Sequence, residues 1–77
     1  MMMTLASNIK EVREARNMSQ LELAKQLDVH QTYVSMIERG LKLPSLEHLD
    51  HMADILECST DRLLGRDIKY IKSERND

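Results

Sequence analysis

Two stretches decide the fold: Ser19-Gln20-Leu21-Glu22-Leu23-Ala24 and, after a short link, Gln31-Thr32-Tyr33-Val34-Ser35-Met36-Ile37-Glu38-Arg39-Gly40. Ser19 is a good helix N-cap, and Glu22 stands three residues on, where a capping box places its acid. Leu21, Ala24 and Leu27, widened by Leu23, line one side of a helix over about 20–27. Asp28 and Val29 form a tight link. The next helix runs over about 31–39, and Gly40 is its natural stop. Two short helices so joined make a helix-turn-helix, whose second member is shaped for the major groove of DNA.

Whether this second helix suits a groove depends on its outer face. At about 100° per residue, Val34 and Ile37 mark the buried side, and Thr32, Ser35, Met36 and Arg39 lie within about 50° of the opposite direction. Gln31 stands at the N-terminal edge, and Glu38 turns toward the body of the protein. Ordinary solvated faces carry Glu and Lys; this one carries neither. Gln can pair bidentately with adenine, a hydroxyl serves either polarity, and Met can touch a thymine methyl.

The rest of the chain is helical in period. Leu5, Ile9, Val12 and Ala15 give a first helix over about 4–16, ended by Asn17, which tolerates the left-handed conformation. Pro44 breaks the chain before Ser45, a second N-cap. Leu46, Leu49, Ala53 and Leu56 stripe a fourth helix. Ser59 or Thr60 caps a short fifth helix carrying Leu63 and Leu64, which Gly65 ends. The expected fold is all-α, a compact five-helix domain over 4–65 followed by a polar tail over 66–77.

The motifs Ser19-Gln20-Leu21-Glu22-Leu23-Ala24, Val34-Ser35-Met36-Ile37-Glu38-Arg39-Gly40 and Pro44-Ser45-Leu46, in this order and at these separations, resemble the lambda-repressor-like (Xre, Cro-type) helix-turn-helix family. The resemblance covers about residues 7–65. It implies a five-helix fold and a dimeric, sequence-specific binder of double-stranded DNA, most often a repressor of transcription. Residue by residue, it implies base reading by Gln31, Thr32, Ser35 and Met36. It implies backbone phosphate contacts by Gln20, Tyr33, Arg39 and Lys42, and a partly buried ion pair of Arg13 with Glu38. Two positions depart from the pattern. Asp28 stands where Gly is usual, and His30 stands where a Ser or Thr cap is usual, which makes His30 a weaker cap or a pH-dependent phosphate contact.

Composition narrows the alternatives. Seventy-seven residues make one domain, and a chain of this size buries only about 60–65% of its extended surface, so a second copy would help it. Leu64, Ile68 and Ile71 recur at steps of four and three, which points to a homodimer contact through the fifth helix and the start of the tail. Eleven basic against thirteen acidic residues give a net charge of −2, unusual for a DNA binder. The charge is polarised: residues 1–43 hold six bases against five acids, and residues 44–77 five against eight. The acidic fourth helix (Glu47, Asp50, Asp54) keeps a second reading open, an antitoxin-like or anti-repressor-like module that binds a protein partner there, with DNA binding secondary. A single cysteine, Cys58, excludes an internal disulfide and suits a cytoplasmic chain. No apolar run approaches the about 18 residues of a membrane span. His48 and His51 are three apart, but two imidazoles without a nearby cysteine do not make a closed metal site. No nucleophile–base pair or phosphate-binding glycine loop is present, so neither a cofactor nor an enzyme is expected.

Overall fold

The computed structural model describes residues 2–65. The tail over 66–77 lies outside them, and with it the expected contribution of Ile68 and Ile71 to a dimer. Five helices follow in order: α1 Met2–Ala15, α2 Gln20–Leu27, α3 Gln31–Glu38, α4 Leu46–Ile55 and α5 Thr60–Leu64. The bounds differ from expectation at three ends, α1 also stopping at Ala15 rather than Arg16. α1 starts at Met2 rather than Thr4, and α3 ends at Glu38, leaving Arg39 as its C-cap.

Side-chain caps mark where three of the helices begin. The Ser19 hydroxyl accepts from the Glu22 N–H (3.0 Å) while the Glu22 carboxylate accepts from the Ser19 N–H (2.8 Å), the capping box in full. Ser45 caps α4 through the His48 N–H, and Ser59 caps α5 through the Arg62 N–H. His30 precedes α3 in extended backbone but makes no side-chain cap bond.

The ends share one device. Asn17, Asp28, Gly40 and Glu57 take positive φ (56°, 62°, 76° and 56°). The residue after each returns its N–H to a carbonyl five back: Met18 to Arg13, Val29 to Ala24, Leu41 to Met36 and Cys58 to Ala53. Asp28 therefore fills the position where glycine is usual in the turn, at the about 1–2 kcal/mol that a Cβ costs there. Gly65 closes α5 at φ 80°, where an added Cβ would meet Thr4 Cγ2 at 3.2 Å and Asn8 Nδ2 at 3.3 Å. The Asn8 amide donates to the Leu63 carbonyl (3.1 Å), so α1 and α5 close on each other at this point.

The core is aliphatic. Ile9, Leu23, Val34, Ile37, Met52, Leu56 and Leu63 are fully buried, with Leu5, Leu27 and Leu49 beside them. Four residues placed on apolar stripes by their spacing are not buried. Ala15 is exposed in the last turn of α1. Leu21 stays 47% exposed because it lies about 110° round α2 from the centre of the buried Leu23, Ala24 and Leu27. Leu46, at the first turn of α4, is 83% exposed, and Leu64 is 40% exposed. The last two meet again below.

Candidate nucleic-acid interface

α3 is held against the body by Val34 and Ile37 and by one buried charge pair. Arg13 donates from Nε to Glu38 Oε2 (2.6 Å) and from Nη2 to Glu38 Oε1 (3.0 Å), a two-pronged fit of guanidinium to carboxylate. The side chains are 8% and 2% exposed. Arg13 Nη1 also donates to the Met18 carbonyl (2.7 Å), tying down the end of α1. The hydrogen bond to Glu38 raises the Arg13 guanidinium above its already high range, against the opposing effect of burial. The expected ion pair is therefore present, and more buried than the sequence implied.

From this pair a chain of amides runs outward. Gln20 Nε2 donates to Glu38 Oε1 (3.0 Å), and Gln31 Nε2 reaches Gln20 Oε1 at 3.5 Å, the outer limit of a hydrogen bond. Gln20 thus links the buried carboxylate to the first residue of α3. Among the described residues no buried side-chain nitrogen or oxygen lacks a partner.

The outer surface of α3 brings the expected base-reading residues together. Gln31, Thr32, Ser35 and Met36 line one shallow concavity with Gln20 and Arg39. Gln31, Thr32 and Arg39 are exposed; Ser35 and Met36 are half-buried. No carboxylate lines it. Glu38, the one acid of α3, is turned inward and matched by Arg13.

The expected phosphate-contacting residues are distributed differently. Gln20 and Arg39 share the concavity. His30 is exposed beside Asp28 and Val29, at the N-terminal end of α3. Lys42 is exposed in the segment after Gly40. Tyr33 leans the other way, toward α4: its hydroxyl lies 2.7 Å from His48 Nδ1 and accepts from the Ser45 N–H at 3.4 Å. The two rings meet edge to face with centroids 5.0 Å apart, and Lys42 Nζ stands 5.9 Å from the centre of the Tyr33 ring. This junction of Tyr33, His48, Ser45 and Lys42 was not foreseen. His48 is fifteen residues from Tyr33, so no helical spacing reports it. The histidine weighed as half of a metal pair instead commits its Nδ1 to a tyrosine.

A second face is distinct in character. Leu46, Leu49 and Leu64, with Thr60, line an open groove between α4 and α5, edged by Glu47 and Asp50. No helix of the described residues is long and apolar enough to cross a membrane.

A family profile of helix-turn-helix proteins matches residues 9–63, spanning α2, the turn and α3 together with α4 and most of α5. The chain belongs to the helix-turn-helix family. Its relatives include the immunity repressor protein of Bacillus phage phi105, 32% identical over 76 residues, covering 96% of this chain and 53% of the relative. The chain thus spans about half the length of that repressor. Among solved structures it is similar to the restriction-modification controller protein C.AhdI from Aeromonas hydrophila (27% identity, TM-score 0.77, 80% of this chain and 94% of that one). It is also similar to SinR, a master regulator of biofilm formation solved in complex with DNA (34% identity, TM-score 0.73, 78% of this chain and 97% of that one). The all-helical fold and the family resemblance read from the motifs are both shown.

Proposed function

We propose that this helix-turn-helix protein is a sequence-specific DNA-binding transcriptional regulator, a repressor, acting in the cytoplasm as a homodimer on a near-palindromic operator. The observation that carries the reading is the outer face of α3: Gln31, Thr32, Ser35, Met36 and Arg39 share one carboxylate-free concavity on the second helix of a helix-turn-helix. Laid in a major groove, such a helix turns its N-terminal side chains to base edges. Gln31 then pairs with adenine, Thr32 and Ser35 serve as hydroxyl partners, and Met36 packs on a thymine methyl. Gln20, Tyr33, Arg39, Lys42 and His30 surround that face and hold phosphates, which position the helix without reading sequence. Arg13 and Glu38 fix the angle of α3 from beneath.

The leucine groove between α4 and α5 supports the dimer. Among the described residues Leu21, Leu41, Leu43, Leu46 and Leu64 are the exposed large apolar side chains; Leu46 and Leu64 are the two that share this groove, and a two-fold copy covers them. The carboxylates at its edge, Glu47 and Asp50, are what would favour a basic protein partner there instead.

Selection from a pool of random duplexes by the full chain tests the reading. The expected result is enrichment of a two-fold symmetric site with half-sites centred about 10 base pairs apart. A pool without enrichment at low salt contradicts it. Sedimentation separates the two uses of the leucine groove: a mass of two chains in the absence of any partner supports the homodimer.

A further inference from the structure

The Tyr33–His48 junction carries an inference that rests on the reading of Tyr33 as a backbone contact. We propose that His48 is a positioning residue that sets the direction of the Tyr33 hydroxyl proton, and that protonation of His48 turns Tyr33 into a donor toward a DNA phosphate.

A tyrosine hydroxyl has one proton to give and two lone pairs to fill. Ser45 N–H fills one lone pair at 3.4 Å. His48 Nδ1, at 2.7 Å, must take one of the other two positions. When Nδ1 is unprotonated it accepts the hydroxyl proton, and Tyr33 is left with nothing to give an anion. When Nδ1 carries a proton it donates into the second lone pair, and the hydroxyl proton must point away from both partners. A neutral imidazole permits either arrangement, according to its tautomer; an imidazolium, with both nitrogens protonated, permits only the second. The proton comes from solvent, so binding to DNA takes up a proton at this site. The imidazolium also brings a positive charge beside the Tyr33 oxygen, which lies 2.7 Å from Nδ1.

The surroundings are fixed by three elements. His48 sits on α4, half-buried, with its own N–H held by Ser45. Asp28 from the end of α2 and Glu47, Asp50, His51 and Asp54 from α4 line the same groove. Lys42 Nζ stands over the Tyr33 ring, 5.9 Å from its centre. Tyr33 alone of these groups joins His48 to α3.

The chain has three histidines, so the test starts from the full-length protein carrying His30→Asn and His51→Asn, which leaves His48 as the one imidazole. The probe is the duplex enriched by selection, and the reading is its dissociation constant at fixed ionic strength. From about pH 8 to about pH 6, where an imidazole titrates, affinity is expected to rise about tenfold. Adding His48→Gln flattens the profile, because Gln cannot gain a charge. Adding Tyr33→Phe removes most of the slope, because the hydroxyl that carries the effect is gone and only the direct attraction of an imidazolium for the phosphate is left. A pH profile that survives His48→Gln, or that keeps its full slope in Tyr33→Phe, overturns the proposal while leaving the DNA-binding reading intact. Failure of the starting protein and the wild type alike to bind the selected duplex overturns both. Thermal melts of each variant separate loss of fold from loss of the proton linkage, since a misfolded variant loses affinity at every pH rather than the slope alone.

Discussion

The outer face of α3 and the groove between α4 and α5 are both left uncovered by the core, yet they differ in every respect that decides a partner. The α3 face is polar, carries one arginine and has no carboxylate in its concavity. The α4–α5 groove is floored by leucines and edged by Glu47 and Asp50. A polyanion is attracted by the first and repelled by the second; an apolar surface is the reverse. The net charge of −2 is taken over the whole chain, and by itself describes neither surface. What a face lacks is as informative here as what it holds: the one acid of α3 is buried on Arg13.

That burial is also the strongest way to break the contrast. Glu38→Ala leaves the Arg13 charge in the core, with only the Met18 carbonyl and the exposed Glu14 in reach. The expected loss is about 3–5 kcal/mol, because one partner of a buried pair is stranded. In a domain this small each kcal/mol moves the melting temperature by about 4–8 °C. An unchanged melting temperature contradicts a structural role for the pair.

The second face is tested by Leu46→Asp. Since Leu46 is exposed within the chain, the fold should lose no more than about 0.5 kcal/mol. A homodimer seated on the groove should fall to monomers, with operator affinity down about tenfold or more as the two half-sites cease to be held together. Sedimentation reads the mass directly; an unaltered mass removes this groove from the dimer.

Lys42→Ala sharpens the first face from its edge. A lysine that meets only backbone is worth the same on every sequence. The variant should therefore weaken all duplexes alike and reduce the salt slope of binding by about one unit. The smallest effect belongs to the scaffold of α2. The Ser19 backbone N–H, and then its hydroxyl, hold the Glu22 carboxyl below its ordinary range. A carboxyl depressed in the folded state stabilises above its unfolded value, and that stabilisation fades as pH falls through the folded one. Glu22→Gln keeps an acceptor but cannot titrate. Between about pH 5 and about pH 3 its melting temperature should thus fall by less than that of the wild type.

Much of this was legible in the sequence because it is written in local chemistry. Ser19 with Glu22, Ser45 and Ser59 announce helix starts, and Asn17, Asp28 and Gly40 announce ends, since caps depend on residues three or four apart. The Arg13–Glu38 pair came from the family resemblance, supported by the inward turn of Glu38. What was not legible depends on the third dimension. Glu57 adopts a left-handed conformation that its residue type does not advertise. Leu46 has the right period for the core, but no other described helix covers the first turn of α4. The turn of Tyr33 toward His48 is set by how α3 and α4 are packed, and the spacing of neither residue betrays it.

The central claim is that the outer face of α3 reads bases. Repeating the duplex selection with Gln31→Ala tests it most directly. The account predicts that one base position in each half-site loses its preference, by about 1–3 kcal/mol of discrimination, while the other positions keep theirs. Retention of the wild-type preference at every position would contradict it, whatever the affinity.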